Sequence, residues 1–163
     1  MNLGKERGLI VIGGDIPSGE TPSGDTPAPG TPIGIPMQRN HGHSRSVLVC
    51  DDRSELRESI VVALGGFSRF RIVGEASDAA SCLQGVLESQ PDILILDVSM
   101  PGGGPTVARA VRALHPAMYI LVHSGRSERR IQREMLDAGA DHYLIKTGRL
   151  GPLIQALDRA AGR

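Results

Sequence analysis

From Ser46 onward, short unbroken apolar runs that stop on charged or polar residues alternate with stretches whose apolar side chains recur every three or four positions. That alternation leaves few folds open. Ser46-Val47-Leu48-Val49-Cys50, closed by Asp51-Asp52, reads as a strand buried on both faces. Leu56, Ile60 and Leu64 then follow at helical spacing, and Gly65-Gly66 ends that helix. Phe70-Arg71-Ile72-Val73 predicts a second strand, and residues 78–89 a helix carrying Leu83, Val86 and Leu87. The apolar run between Asp92 and Asp97 is the clearest strand, and Val107, Val111 and Leu114 mark a helix that Pro116 closes. Tyr119–Val122 and His142–Lys146 complete the strands, the first followed by a helix with Ile131 and Met135. The second precedes a helix with Leu150, Leu153, Ile154 and Leu157. Strands that alternate with helices in this way predict one α/β domain, a doubly wound five-stranded parallel sheet covered on both faces.

In an open parallel sheet, ligands gather beyond the carboxyl ends of the strands. The residues expected there are Asp51 and Asp52 after the first strand, Asp97 after the third, Ser124 after the fourth and Lys146 after the fifth. Carboxylates brought within about 6 Å disfavour one another's charge unless a cation neutralises them. Lys146 supplies only one positive charge. An oxygen-rich, anionic site without Cys or His suits a hard divalent cation such as Mg2+. Metal, carboxylate nucleophile, hydroxyl and ammonium together describe phosphoryl transfer, in which positioning and charge neutralisation do most of the catalysis. An Asp on a rigid strand end can take a phosphoryl group as an acyl phosphate.

Four segments carry a resemblance. They are Val49-Cys50-Asp51-Asp52, Leu94 to Gly102, Val122-His123-Ser124-Gly125, and Gly139 to Lys146. Taken in order, at these intervals, they make Val47–Ala161 resemble the receiver domain of two-component response regulators. The resemblance implies a (βα)5 flavodoxin-like three-layer sandwich in which Asp97 accepts a phosphoryl group from a histidine kinase or histidine phosphotransfer protein. It implies that Asp52, Asp97 and the backbone carbonyl of Ser99 bind Mg2+, with Asp51 acting partly through water. Lys146 would pair with the phosphorylated carboxylate, Ser124 would hydrogen-bond a phosphoryl oxygen, and Tyr143 would switch rotamer with it. The expected output surface lies on residues 126–147 and the last helix, with a homodimer through the fourth and fifth helices or a separate output protein as partners.

The chain departs from the pattern in having Thr147, not Pro, after Lys146, so a rearranged loop is expected there. Gly102-Gly103-Gly104 gives the loop after Asp97 unusual freedom. The motifs resemble receivers usually attached to helix-turn-helix outputs; none follows Arg163, so no direct nucleic-acid binding is expected. Two rivals remain. One is a receiver-like interaction module that is never phosphorylated. The other is an aspartate-dependent phosphohydrolase, disfavoured because Ser99 stands where a second Asp would act as general acid. Cys50 reads as a small core hydrophobe, His123 as an incidental strand residue, and Arg126, Arg129, Arg130 and Arg133 as a solvated basic face.

Ahead of this domain, residues 1–45 differ in kind. Between Gly13 and Pro36, six of 24 residues are Gly and six are Pro, which predicts a disordered tail. Thr21-Pro22, Thr26-Pro27 and Thr31-Pro32 leave a docking or phosphorylation array open, and His41-Gly42-His43 is too sparse for a metal site. The 18 basic and 18 acidic residues cancel, giving no bulk attraction to nucleic acid or anionic lipid. No apolar run approaches the roughly 20 residues of a membrane helix, so no membrane partner is expected. Two cysteines exclude a disulfide scaffold and a four-cysteine zinc site; the expected compartment is cytoplasmic.

Overall fold

A computed structural model describes residues 44–162. Residues 1–43 of the tail, with its Thr-Pro array and the two histidines at 41 and 43, lie outside the described residues; Arg45, expected at the end of the tail, instead opens the first strand, where it pairs with Phe70. Five strands, β1 (Arg45–Cys50), β2 (Phe70–Ala76), β3 (Ile93–Leu96), β4 (Tyr119–Ser124) and β5 (His142–Ile145), alternate with five helices. The helices are α1 (Ser54–Gly65), α2 (Ala79–Ser89), α3 (Pro105–Leu114), α4 (Arg129–Asp137) and α5 (Gly151–Ala161). The strands form one sheet in the order β2-β1-β3-β4-β5, with every pairing parallel.

The period of two along each strand divides the core. Leu48, Cys50, Leu94, Leu96, Ile120 and Val122 face a layer containing Cys82 and Val86 of α2, Val107 and Val111 of α3, and Met135 of α4. Val47, Val49, Ile93, Ile95 and Leu121 face Ile60 and Leu64 of α1 and Leu153 and Leu157 of α5. Each such side chain, fully buried, contributes about 1.5–3 kcal/mol. Because both faces are covered, β1 and β3 read as continuous apolar runs.

Local chemistry sets several boundaries. Asp78 is the N-cap of α2, not its first residue: it accepts from the Ser81 backbone at 2.9 Å, while Ser81 Oγ accepts from the Asp78 backbone at 3.3 Å. Pro105 opens α3, where its missing N–H has no consequence. Strand β2 runs to Ala76, past the expected end at Val73, because β1 pairs with it throughout, across an irregularity after Val47. Leu87 and Leu114, expected in the helical stripes, are 60% and 48% exposed. Both lie near the C-terminal ends of their helices, where the apolar stripe has turned away from the sheet.

Candidate functional site

Parallel pairing sends the carboxyl ends of β1, β3, β4 and β5 to one edge, and the predicted polar residues meet there. One carboxylate oxygen from each of Asp51, Asp52 and Asp97 lies within 4.8 Å of the others. Asp51 and Asp97 are each 2% exposed, whereas Asp52 faces solvent. Lys146 reaches the cluster because β4–β5 pairing continues to its backbone, whose N–H donates to the Ser124 carbonyl at 2.8 Å. Its Nζ lies 2.6 Å from Asp51 Oδ2 and 3.2 Å from Asp97 Oδ2. In the unphosphorylated chain the nearer partner is thus Asp51, with Asp97 also within ion-pair distance. Thr147 in place of Pro does not keep Lys146 from the cluster.

Asp51 is also braced from α1. Its Oδ1 accepts from the Arg53 backbone at 3.1 Å, and Arg57 Nη1 donates to its carbonyl at 2.7 Å. Asp97 Oδ1, in contrast, is buried and has no hydrogen-bond partner among the described residues. A buried carboxylate oxygen is seldom left without a donor or cation. With oxygen donors alone gathered around it, the cluster fits a hard divalent ion, and the residues able to hold one are Asp51, Asp52 and Asp97.

Ser124 ends β4 fully buried, its Oγ accepting a long 3.4 Å bond from the Arg126 backbone. Tyr143 is partly buried, and its hydroxyl donates to the Arg126 carbonyl at 2.7 Å, tying β5 to the loop after Ser124. Burial raises the Tyr143 hydroxyl above its ordinary pKa, partly offset by the nearby Ser124 side chain. Ser99 is exposed in the bend between β3 and α3. That loop turns through Gly102 and Gly104, both at positive φ, and closes so tightly that a Cβ on Gly103 would meet the Val98 and Met100 carbonyl oxygens at 2.7 and 2.9 Å. Of the predicted basic face, Arg126 pairs with Glu128 and Arg130 with Glu134.

One feature escaped the sequence. His123 is 3% exposed, and its Nδ1 is buried without a partner among the described residues. Burial, then the Lys146 charge, lower its pKa to about 4, so it is neutral at neutral pH. Alternation along β4 places it on the face that α1 and α5 cover. Cys50, in contrast, matches the expected core thiol: it is buried in one cluster with Cys82 of α2, and the Cys82 side chain, then burial, push its thiol far up and leave it inert.

The sequence model of the family described as "Response regulator receiver domain" matches residues 47–158. Among curated proteins, the chain is 37% identical over 119 residues to "Probable transcriptional regulatory protein NarL" of Mycobacterium tuberculosis, covering 72% of this chain and 55% of that protein. It is 31% identical over 112 residues to "Response regulator GacA" of Pseudomonas viridiflava, covering 68% and 52%. The chain therefore spans about half the length of the curated relatives it matches. Among solved structures, the signal receiver domain of the M. tuberculosis putative response regulator NarL superposes with a TM-score of 0.68 at 36% identity, covering 74% of this chain and 98% of that one. A LuxR-family two-component response regulator from Aurantimonas sp. SI85-9A1 gives the same TM-score at 28% identity, covering 74% and 87%. With the acidic edge, the sheet order and these matches in agreement, the chain belongs to the response regulator receiver domain family of two-component signalling.

Proposed function

We propose that Asp97 is the phosphoacceptor of a Mg2+-dependent switch charged by a histidine kinase or histidine phosphotransfer protein. The observation that carries this reading is Asp97 itself: buried, 3.2 Å from the Lys146 ammonium, grouped with Asp51 and Asp52, and with one oxygen unpartnered. In the transfer, an Asp97 oxygen forms the new O–P bond while the N–P bond of the donor phosphohistidine breaks, its electron pair returning to the imidazole. Asp51, Asp52 and Asp97, with the Ser99 carbonyl, would hold the magnesium ion, which would supply positive charge toward the phosphoryl oxygens. Lys146 then neutralises the acyl phosphate, and Ser124 donates a hydrogen bond to it. Tyr143 follows that hydroxyl, leaving its bond to Arg126.

The output is contact with a second protein or a second copy through α4, β5 and α5, where Leu136 and Ile145 are exposed. The two free cysteines accord with a cytoplasmic setting, and among the described residues no helix is long and apolar enough to cross a membrane. Incubation with Mg2+ and acetyl phosphate, read by intact mass, is expected to add one phosphoryl group to the wild type and none to Asp97→Asn. An unmodified wild type, under conditions that label another receiver, would reject the proposal in favour of a constitutive docking module.

A further inference from the structure

Beside the acidic cluster, on the opposite side of β4 from Ser124, a cleft of about 590 Å³ opens between the N-terminal ends of α1 and α5. Its volume lies within the range of roughly 300–1,000 Å³ common for small-molecule sites. Arg53, Arg149 and His123 line it, with Leu56 and Leu150 as apolar walls and Glu55 at the rim. Lys146 lines it as well, but its ammonium is engaged by Asp51 and Asp97. The guanidinium groups of Arg53 and Arg149 have no hydrogen-bond or ion-pair partner among the described residues, unlike Arg57, Arg112, Arg126 and Arg130.

Two further features favour negative charge here. Neither α1 nor α5 has a side-chain cap, so both helices present uncapped N-terminal ends at the cleft, each equivalent to a partial positive charge. His123 is almost wholly buried in the wall, and its unpartnered Nδ1 represents a hydrogen-bonding capacity that the fold does not use. Among the residues lining the cleft, Glu55 offsets one of the two free guanidinium groups and leaves the other uncompensated.

We propose that this cleft binds a small organic anion, a carboxylate or phosphate monoester on an apolar body. Arg53 and Arg149 hold its charge, His123 hydrogen-bonds it, and Leu56 and Leu150 pack against its body. The site is separate from the phosphoacceptor and needs neither Asp97 nor Mg2+.

The test is an amide NMR titration of the full chain with phenyl phosphate, in EDTA so that no divalent ion bridges the probe to the acidic cluster. Benzoate and inorganic phosphate are run in parallel. Saturable shifts are expected at Leu56, Gly125, Gly148 and Leu150, with phenyl phosphate or benzoate bound more tightly than inorganic phosphate. Arg53→Gln and Arg149→Gln, both at exposed positions, should each weaken binding about tenfold, the size of a lost charge-assisted hydrogen bond. His123→Asn should weaken it by a smaller factor. Shifts that need Mg2+ and centre on Asp97, equal binding of inorganic phosphate, unchanged affinity in the arginine variants, or no saturable shift would each overturn the proposal.

Discussion

Replacing Lys146 with Met tests whether the acidic edge is held together by one ammonium. The Lys146 side chain is 15% exposed, those of Asp51 and Asp97 each 3%, and the contacts are 2.6 and 3.2 Å. Two carboxylates no more than 4.8 Å apart repel by about 3.5 kcal/mol or more at an effective dielectric near 20. Lys146 opposes that repulsion at the expense of its own desolvation. Removing one partner of a buried charge pair commonly loses about 3–5 kcal/mol, because the remaining charge is left uncompensated. Lys146→Met should therefore lose roughly 3 kcal/mol in urea denaturation at neutral pH without divalent ions. Adding Mg2+ should recover more stability in the variant than in the wild type, since the ion replaces the missing charge. The double variant Asp51→Asn with Lys146→Met should lose less than the sum of its single changes. A loss below about 1 kcal/mol, the size of an exposed ion pair, together with identical Mg2+ responses, would refute the electrostatic account.

His123 should make the wild type sensitive to mild acid. Its folded pKa, near 4, lies below the unfolded value of 6.5, so protons bind the unfolded chain first. The stability it contributes is complete above about pH 6.5 and is lost as pH falls toward 4; between pH 7 and 5 the wild type should lose about 2 kcal/mol more than His123→Asn, measured by paired urea titrations. Arg112 donates to the Gly139, Pro116 and Met118 carbonyls and to Asp141, joining α3 to β4 and to the turn before β5. Arg112→Ala should lose about 2–4 kcal/mol by chemical denaturation while acetyl phosphate still labels the folded fraction. Gly103→Ala forces its new methyl group against backbone oxygens, so the Asp97 loop must move; phosphorylation should slow markedly with little change in the far-ultraviolet spectrum.

The fold was legible because the local signals agreed. Continuous apolar runs such as Ile93–Leu96 can be buried only in a sheet covered on both faces, and the intervening 3.6-residue stripes supply the covers. Once the strands are parallel, Asp51, Asp52, Asp97, Ser124 and Lys146 must share one edge, so the candidate site was legible as a consequence of the fold. Contacts between distant segments were not. Asp51 and Lys146 are 95 positions apart, and which carboxylate stands nearer the ammonium depends on how α1 and β5 seat against the sheet.

Sequence alone thus determined the element order, the parallel sheet and the residues gathered at its carboxyl edge. Each follows from periodicity and chain connectivity, which act locally. Tertiary structure decided that Lys146 sits closest to Asp51, that Leu87 and Leu114 face solvent, and that His123 is buried with one nitrogen unpartnered. It also decided that Arg53 and Arg149 face a common cleft. The physical reason is that such distances are set by the packing of whole layers, where a shift of one side-chain diameter changes the partner without altering the sequence pattern that built the layer.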